Sequence, residues 1–390
     1  MSRTTSEDAQ RAREARAWAW VAHLRDGGTT PWSAWGADAA ADEHSSRYLP
    51  GAQQLELLRR LNQLQLPPPE LADRVLSTSA PGRGRPDLGL VGVLPESAFG
   101  PPPVDPADLP PDELVRVATS LLAEDVVAAG DPLEPRAPRL LRRRYRVLGD
   151  PEITHPVRDA LTADGRPPGG RRSAVVVAGS DPASMFVHVW TARSLGAGVR
   201  AWPGWIRSEV RRPRLPQRID LAALAEAWVP RVGTGRVHVV LDDPRRVVRL
   251  TAGRRSVPMP RPLSADAVEL ARRTAPVVGT LVPPERRTAL MWHRLRPVLA
   301  TYPGPALRVP ARLRPLLEEH TAYLRRRLAA GGYAVHGALP EPAERPGVTA
   351  PDEERVLKLA MQVLLGPPIG TAHAARPAHS GRSGRRREDR

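Results

Sequence analysis

Three stretches of this 390-residue chain carry side chains that could do chemistry. The first is Gly179-Ser180-Asp181-Pro182, directly after the β-branched run at 174–178. A strand feeding a glycine turn and a helix start leaves free backbone N–H groups that can hold an anion. Gly179, Ser180 and Asp181, with Arg193 farther along, are therefore the candidate ligand-binding residues. The plainer use of the same residues is a strand–helix junction with a capped helix. The second stretch is Asp242-Asp243 at the end of an apolar run, where carboxylates could hold Mg²⁺ on a phosphate. Asp-Asp-Pro also starts turns. The third is His188, which the spacing places on a helix with Phe186 and Trp190, a setting that suits a packed histidine better than a base. No catalytic residue and no metal site is assigned.

Other residues have duller alternatives of the same kind. Arg-rich segments at 142–146 and 207–218 could meet phosphate or could simply face solvent. The pairs Trp32/Trp35 and Trp202/Trp205 could line pockets or fill core.

Rare residues set the exclusions. The chain has no Cys, which removes thiol nucleophiles, disulfides, Fe–S clusters and thiolate zinc sites. Lys358 is the sole lysine and lies in an apolar helical run, so neither a phosphate loop nor a Schiff-base lysine is present. There is no HExxH pair and no GxSxG elbow. Arginine supplies all but one of the 58 basic residues, and Asn62 is the sole asparagine. This compositional bias discounts the net charge of +16 as a sign of nucleic-acid binding. Aromatic residues at 4% also supply few stacking platforms. No apolar run reaches the roughly 18 residues of a membrane span, and the charged start is unlike a signal peptide, so a cytoplasmic location is expected.

The elements that must position these residues follow from periodicity. Helices are expected over 7–25, 51–65, 70–77 and 112–129, separated by Pro-rich connections. Strands are expected at 171–179 and 236–244, with RVVRL at 246–250 as a third and YAVHG at 333–337 as an extra one. Helices fill 181–195, 219–229, 264–274, 284–300, 308–330 and 351–365. The fold class is α/β, with a small parallel sheet, large helical additions and Pro-rich loops. Residues 1–135 form an acidic, mainly helical region of net charge −8. Residues 136–370 form a basic α/β region with C-terminal helices, and 371–390 read as a disordered basic tail. The opposite charges predict attraction between the first two regions. No internal repeat is evident.

AVVVAGSDPASMFVHVW, IDLAALAEAWVPRVGTGRVHVVLDDP and the helix ending RRRLAAGGYAVHGAL resemble, in that order, the rear part of bacterial sulfotransferase-like proteins. The resemblance spans about 173–340 and implies an α/β nucleotide-binding fold that uses 3′-phosphoadenylyl sulfate. The family's phosphosulfate-binding loop is not recognisable. The nearest text, GGTTPW at 27–32, follows a helix and has no basic residue inside it. Gly179-Ser180 stands where the family places an Arg, and Ser184 and Arg193 are out of pattern. The resulting expectation is a divergent or inactive sulfotransferase-like protein binding an anionic nucleotide-type ligand. A non-catalytic scaffold engaging an acidic protein is the alternative, and nucleic-acid binding through the basic rear half is a third. Whether the chain is an enzyme stays open.

Overall fold

A computed structural model describes residues 2–36, 49–79, 86–93, 101–131, 145–169, 173–196, 198–251, 257–342 and 345–370. The expected tail at 371–390 and Arg142 to Arg144 lie outside the described residues.

The front of the chain is helical: α1 (Ser2–Arg25), α2 (Ala52–Leu64), α3 (Pro69–Ser77) and α4 (Pro111–Ala128). The middle alternates: β1 (Tyr145–Gly149), α5 (Pro151–Ala163), β2 (Ala174–Gly179) and α6 (Pro182–Ser194). It continues with α7 (Trp202–Val210), α8 (Leu221–Glu226), α9 (Val229–Val232), β3 (Val237–Leu241) and α10 (Pro244–Leu250). The rear holds α11 (Ala265–Leu281) and α12 (Pro284–Leu290), which runs through a π turn at Met291–Leu295 into α13 (Arg296–Leu299). Helix α14 (Arg314–Ala330), β4 (Ala334–His336) and α15 (Glu353–Leu365) complete it.

The four strands form one parallel sheet in the order β1-β2-β3-β4, as expected of an α/β chain with helical additions. Alternate β2 and β3 residues face opposite layers. Val175, Val177, Val237 and Val239 join the large core of α6, α8 and the surrounding helices. Val176, Ala178 and Val240 join Tyr145 and Val147 in a smaller core closed by Ile153, Val157 and Leu161 of α5 and Val247 and Val248 of α10. The first crossover thus lies on one face and the second on the other, while the strands advance in one direction. The two crossovers therefore have opposite hands, a departure from the usual right-handed rule.

All three longer strands end in the same grammar. An Asp followed by Pro caps the next helix: Asp150 for α5, Asp181 for α6 and Asp243 for α10. This grammar overturns the expected strand at 246–250. With Asp243 accepting from the Arg246 N–H and Pro244 at the first helical position, RVVRL coils into α10 and seats Val247 and Val248 in the core. The expected helix over 219–229 is broken into α8 and α9. Strand β1 was hidden in the arginine cluster: Arg146 belongs to it and lies 4.5 Å over the Trp228 ring.

The boundary at 135 does not divide the core. Helix α4 packs against α11 and α15, and one apolar cluster runs from Trp20 through Leu58 and Leu121 to Leu364. The two regions also prove to be built alike, which overturns the absence of a repeat. In α2, buried Glu56 receives Arg59 at 2.7 Å and Arg60 at 2.9 Å. In α11, buried Glu269 receives Arg272 at 2.7 Å and Arg273 at 2.8 Å, with the same spacing. Both helices lead into a Pro-initiated helix, and both arginine pairs reach α15, at Glu354 and Glu353. Each unit also carries a short parallel bridge, Leu90 to Val104 and Leu307 to Val348.

Candidate functional site

Asp150 is the centre of the site. Gly149 ends β1 at φ 101°, and a side chain there would collide with the Ala178 carbonyl oxygen. That turn drops Asp150 between β1 and β2, where its side chain is fully buried. Its carboxylate accepts from the Glu152 N–H at 3.0 Å and from Ser180 Oγ at 2.7 Å. Its two oxygens also lie 3.0 and 2.8 Å from His188 Nδ1. An ionised carboxylate only accepts, so the imidazole must donate from Nδ1. This fixes its tautomer and leaves Nε2 for the opposite side. Burial opposes the charged ring, but the Asp150 carboxylate, with Glu152 and Asp181 nearby, more than offsets it. His188 is held above the ordinary imidazole value.

His188 lines a cavity of about 170 Å³ with Ala183, Ser184, Val187 and Thr191 of α6. These positions fall on one flank of the helix because they are three and four apart. The opposite wall is the segment 306–311, pinned by Arg308 N donating to the Val348 carbonyl and Val348 N donating to Ala306, both at 2.9 Å. Much of the wall is apolar, including Leu263, Leu307, Val309 and Leu317. Its charged members are mainly cationic. Arg308 has a buried Nε with no hydrogen-bond partner among the described residues. Arg314 pairs with Glu318 at 3.0 Å, and Arg345 with Asp181 at 3.2 Å. Among the described residues the one acid in the wall is Glu152. Its carboxyl is pushed up by burial, although Arg296 at 2.6 Å and the nearby His188 pull the other way.

The expected ligand residues are not brought together. Gly179 ends β2, but Leu221 of α8 fills the space beside it, so the close approach there is made by the protein itself. Ser180 is spent on Asp150. The Asp181 carboxylate accepts from Ser184 N at 3.0 Å, so the start of α6 already carries a negative charge where an anion was expected. Arg193 stands in the last turn of α6, roughly 16 Å along the helix at ~1.5 Å per residue, with its guanidinium 5.7 Å over Trp205.

The other sequence candidates resolve toward packing and turns. Asp242 adopts a left-handed turn at φ 55°, and Asp243 caps α10. Trp202 and Trp205 pack edge-to-face with Trp190 and Phe186, respectively, and Trp32 packs on Trp20. The GGTT loop is tied to the front helices by Asn62, which donates to the Leu24 and Gly28 carbonyls. Among the described residues no three His, Asp or Glu side chains converge as metal ligands. No described helix is long and apolar enough to cross a membrane.

Sequence reasoning missed Asp150, Glu152, Arg308 and Arg345, and it favoured packing for His188. The available signal was the Asp-Pro that follows each apolar run, at 150, 181 and 243. Compared with known protein families, curated proteins and solved structures, the chain matches none.

Proposed function

We propose that this protein binds a small organic anion in the α6 cavity and moves a proton on it through His188. The observation that supports this most is the buried Asp150 carboxylate holding His188 by Nδ1 while the same ring lines a cavity with cationic walls. A base or acid needs this fixed tautomer and a nearby reacting group. An oriented imidazole on a closed core would have no such outlet. Arg308, Arg314 and Arg345 favour a negative group, and the apolar wall favours a hydrocarbon body.

Size narrows the ligand. A dry cavity of ~150 Å³ holds a benzene ring, whereas drug-sized sites span about 300–1,000 Å³. A space of about 170 Å³ therefore suits an aromatic or short aliphatic acid. A nucleotide such as 3′-phosphoadenylyl sulfate would enter by one end only. The apolar share of the lining also favours a small molecule over an acidic protein as partner. Thermal-shift measurements with benzoate, benzenesulfonate and 3′-phosphoadenosine 5′-phosphate test this reading. The small aromatic anions should raise the melting temperature, and Arg308→Ala should remove the effect while the exposed Arg312→Ala keeps it. No shift with any of the three would contradict the reading, and a shift with the nucleotide alone would favour the sulfotransferase-like one.

A further inference from the structure

Among the described cavity residues, Ser184 is the one with a nucleophilic side chain that stands one helical turn before His188 on the same flank of α6. Residues at this spacing have Cβ atoms about 5–6 Å apart. Helical side chains lean toward the N-terminus, so the His188 ring covers the turn that carries Ser184. The Ser184 residue is buried, and its hydroxyl makes no hydrogen bond to another described residue, while its backbone N–H is held by Asp181. Ser180, by contrast, points its hydroxyl at Asp150 and does not line the cavity. Thr191 lines the cavity too, but it follows His188, on the side away from which the ring leans.

We infer that Ser184 is a nucleophile, activated by His188 and Asp150, and that the cavity hydrolyses small esters whose acyl part carries an acid group. The inference rests on the cavity and His188 reading above. In the first step Ser184 Oγ bonds to the ester carbonyl carbon and its proton passes to His188 Nε2. The bond from that carbon to the alcohol oxygen then breaks, and the proton leaves with the alcohol. Water next attacks the acyl-serine, gives its proton to Nε2, and releases the acid as serine is restored. Asp150 accepts from Nδ1–H throughout and stabilises the imidazolium. Arg308, Arg314 and Arg345 supply positive charge for the free carboxylate of the acyl part.

The test is covalent labelling of the full chain with a fluorophosphonate, followed by peptide mapping. The adduct should sit on Ser184, be lost in Ser184→Ala, and persist in Ser208→Ala. Hydrolysis of the mono-4-nitrophenyl ester of glutaric acid should exceed that of 4-nitrophenyl butyrate by at least about tenfold. Ser184→Ala should lower the first rate by about 100-fold or more. Mapping of the wild type needs no variant, so a misfolded substitution cannot obscure the answer. An adduct on another residue, or none, overturns the inference. If benzoate still raises the melting temperature in that case, the cavity reading survives and only the nucleophile falls. If both fail, both fall.

Discussion

His155 and His188 sit on neighbouring helices and answer burial in opposite ways. His155 packs against Trp292 at a tilt, with ring centroids 4.2 Å apart. Burial, together with Arg158, Arg218, His293 and Arg296, drives it down to about 3. The unfolded chain then binds a proton that the folded chain refuses, so stability falls as pH drops below ~6.5 toward that value. Urea unfolding at pH 7 and pH 4.5 should show this, with a slope from this group of up to about 1.4 kcal/mol per pH unit. His155→Phe keeps a ring on Trp292 and should flatten that slope by about one proton. An unchanged slope would place the acid sensitivity elsewhere. His188 has the reverse sign: its stabilising contribution is present below ~6.5 and fades as pH rises through its raised value. In Asp150→Asn the burial penalty remains while the carboxylate is gone, so the imidazole should fall below its ordinary value in a histidine NMR titration. Glu152 and Asp181 also face the ring, and a value that stays raised in the variant would transfer the effect to them. His188 was legible in the sequence as a helical histidine. Its partner was not, because Asp150 is 38 residues away and meets it only through strand pairing.

At the scale of elements, glycine turns and buried carboxylates do most of the positioning. Gly149→Ala would put a side chain against the Ala178 carbonyl at a φ that favours glycine, so it should destabilise the fold by about 1–3 kcal/mol and loosen Asp150. Chemical denaturation measures the first effect and the His188 titration the second. The matching Glu-Arg-Arg clusters make a paired prediction. Glu56→Ala and Glu269→Ala each leave two arginines without their buried carboxylate and should each cost about 3–5 kcal/mol by the same assay. A large cost for one and none for the other would mean that the two clusters are alike in form only. Most helices and the β2 and β3 strands could be read from periodicity, since their apolar positions are regular. Strand β1 could not, because three arginines precede Tyr145 and its run is short. Helix α10 was misread because two valines suggest a strand, although Asp243-Pro244 had already started a helix. The repeat was missed because the identities are few and scattered, Ala52, Glu56, Leu57, Arg59 and Arg60 against Ala265, Glu269, Leu270, Arg272 and Arg273, and their common role appears once the side chains are seen in place.

For the whole molecule, the division of charge is a poor guide to how the halves meet. Ion pairs do cross between them, as in Arg60 with Glu354 and Arg286 with Asp131. Each has an exposed carboxylate, Glu354 or Asp131, and is therefore screened and small in effect. The main junction is the packing of α4 on α11 and α15, whose buried side chains are mostly apolar, with Asp266 and Glu269 of α11 as the buried acids. Thermal unfolding should accordingly be a single transition that changes little between 0.05 and 0.5 M salt, contrary to the salt-sensitive association that the −8 and +24 division suggests. Two separate transitions would restore the boundary near 135. The same +16 net charge could draw any anion to the surface, so the cavity must be distinguished from general attraction. Benzenesulfonate keeps its charge across neutral pH, and the titration of His188 changes the charge of the His188–Asp150 pair from zero to minus one. The decisive measurement is calorimetry of benzenesulfonate binding between pH 6 and pH 9. The affinity should fall as pH rises through the raised value of His188, and the fall should vanish in His188→Gln. Binding that is indifferent to pH, or equally pH-dependent without His188, would contradict an anion site built on the Asp150–His188 pair.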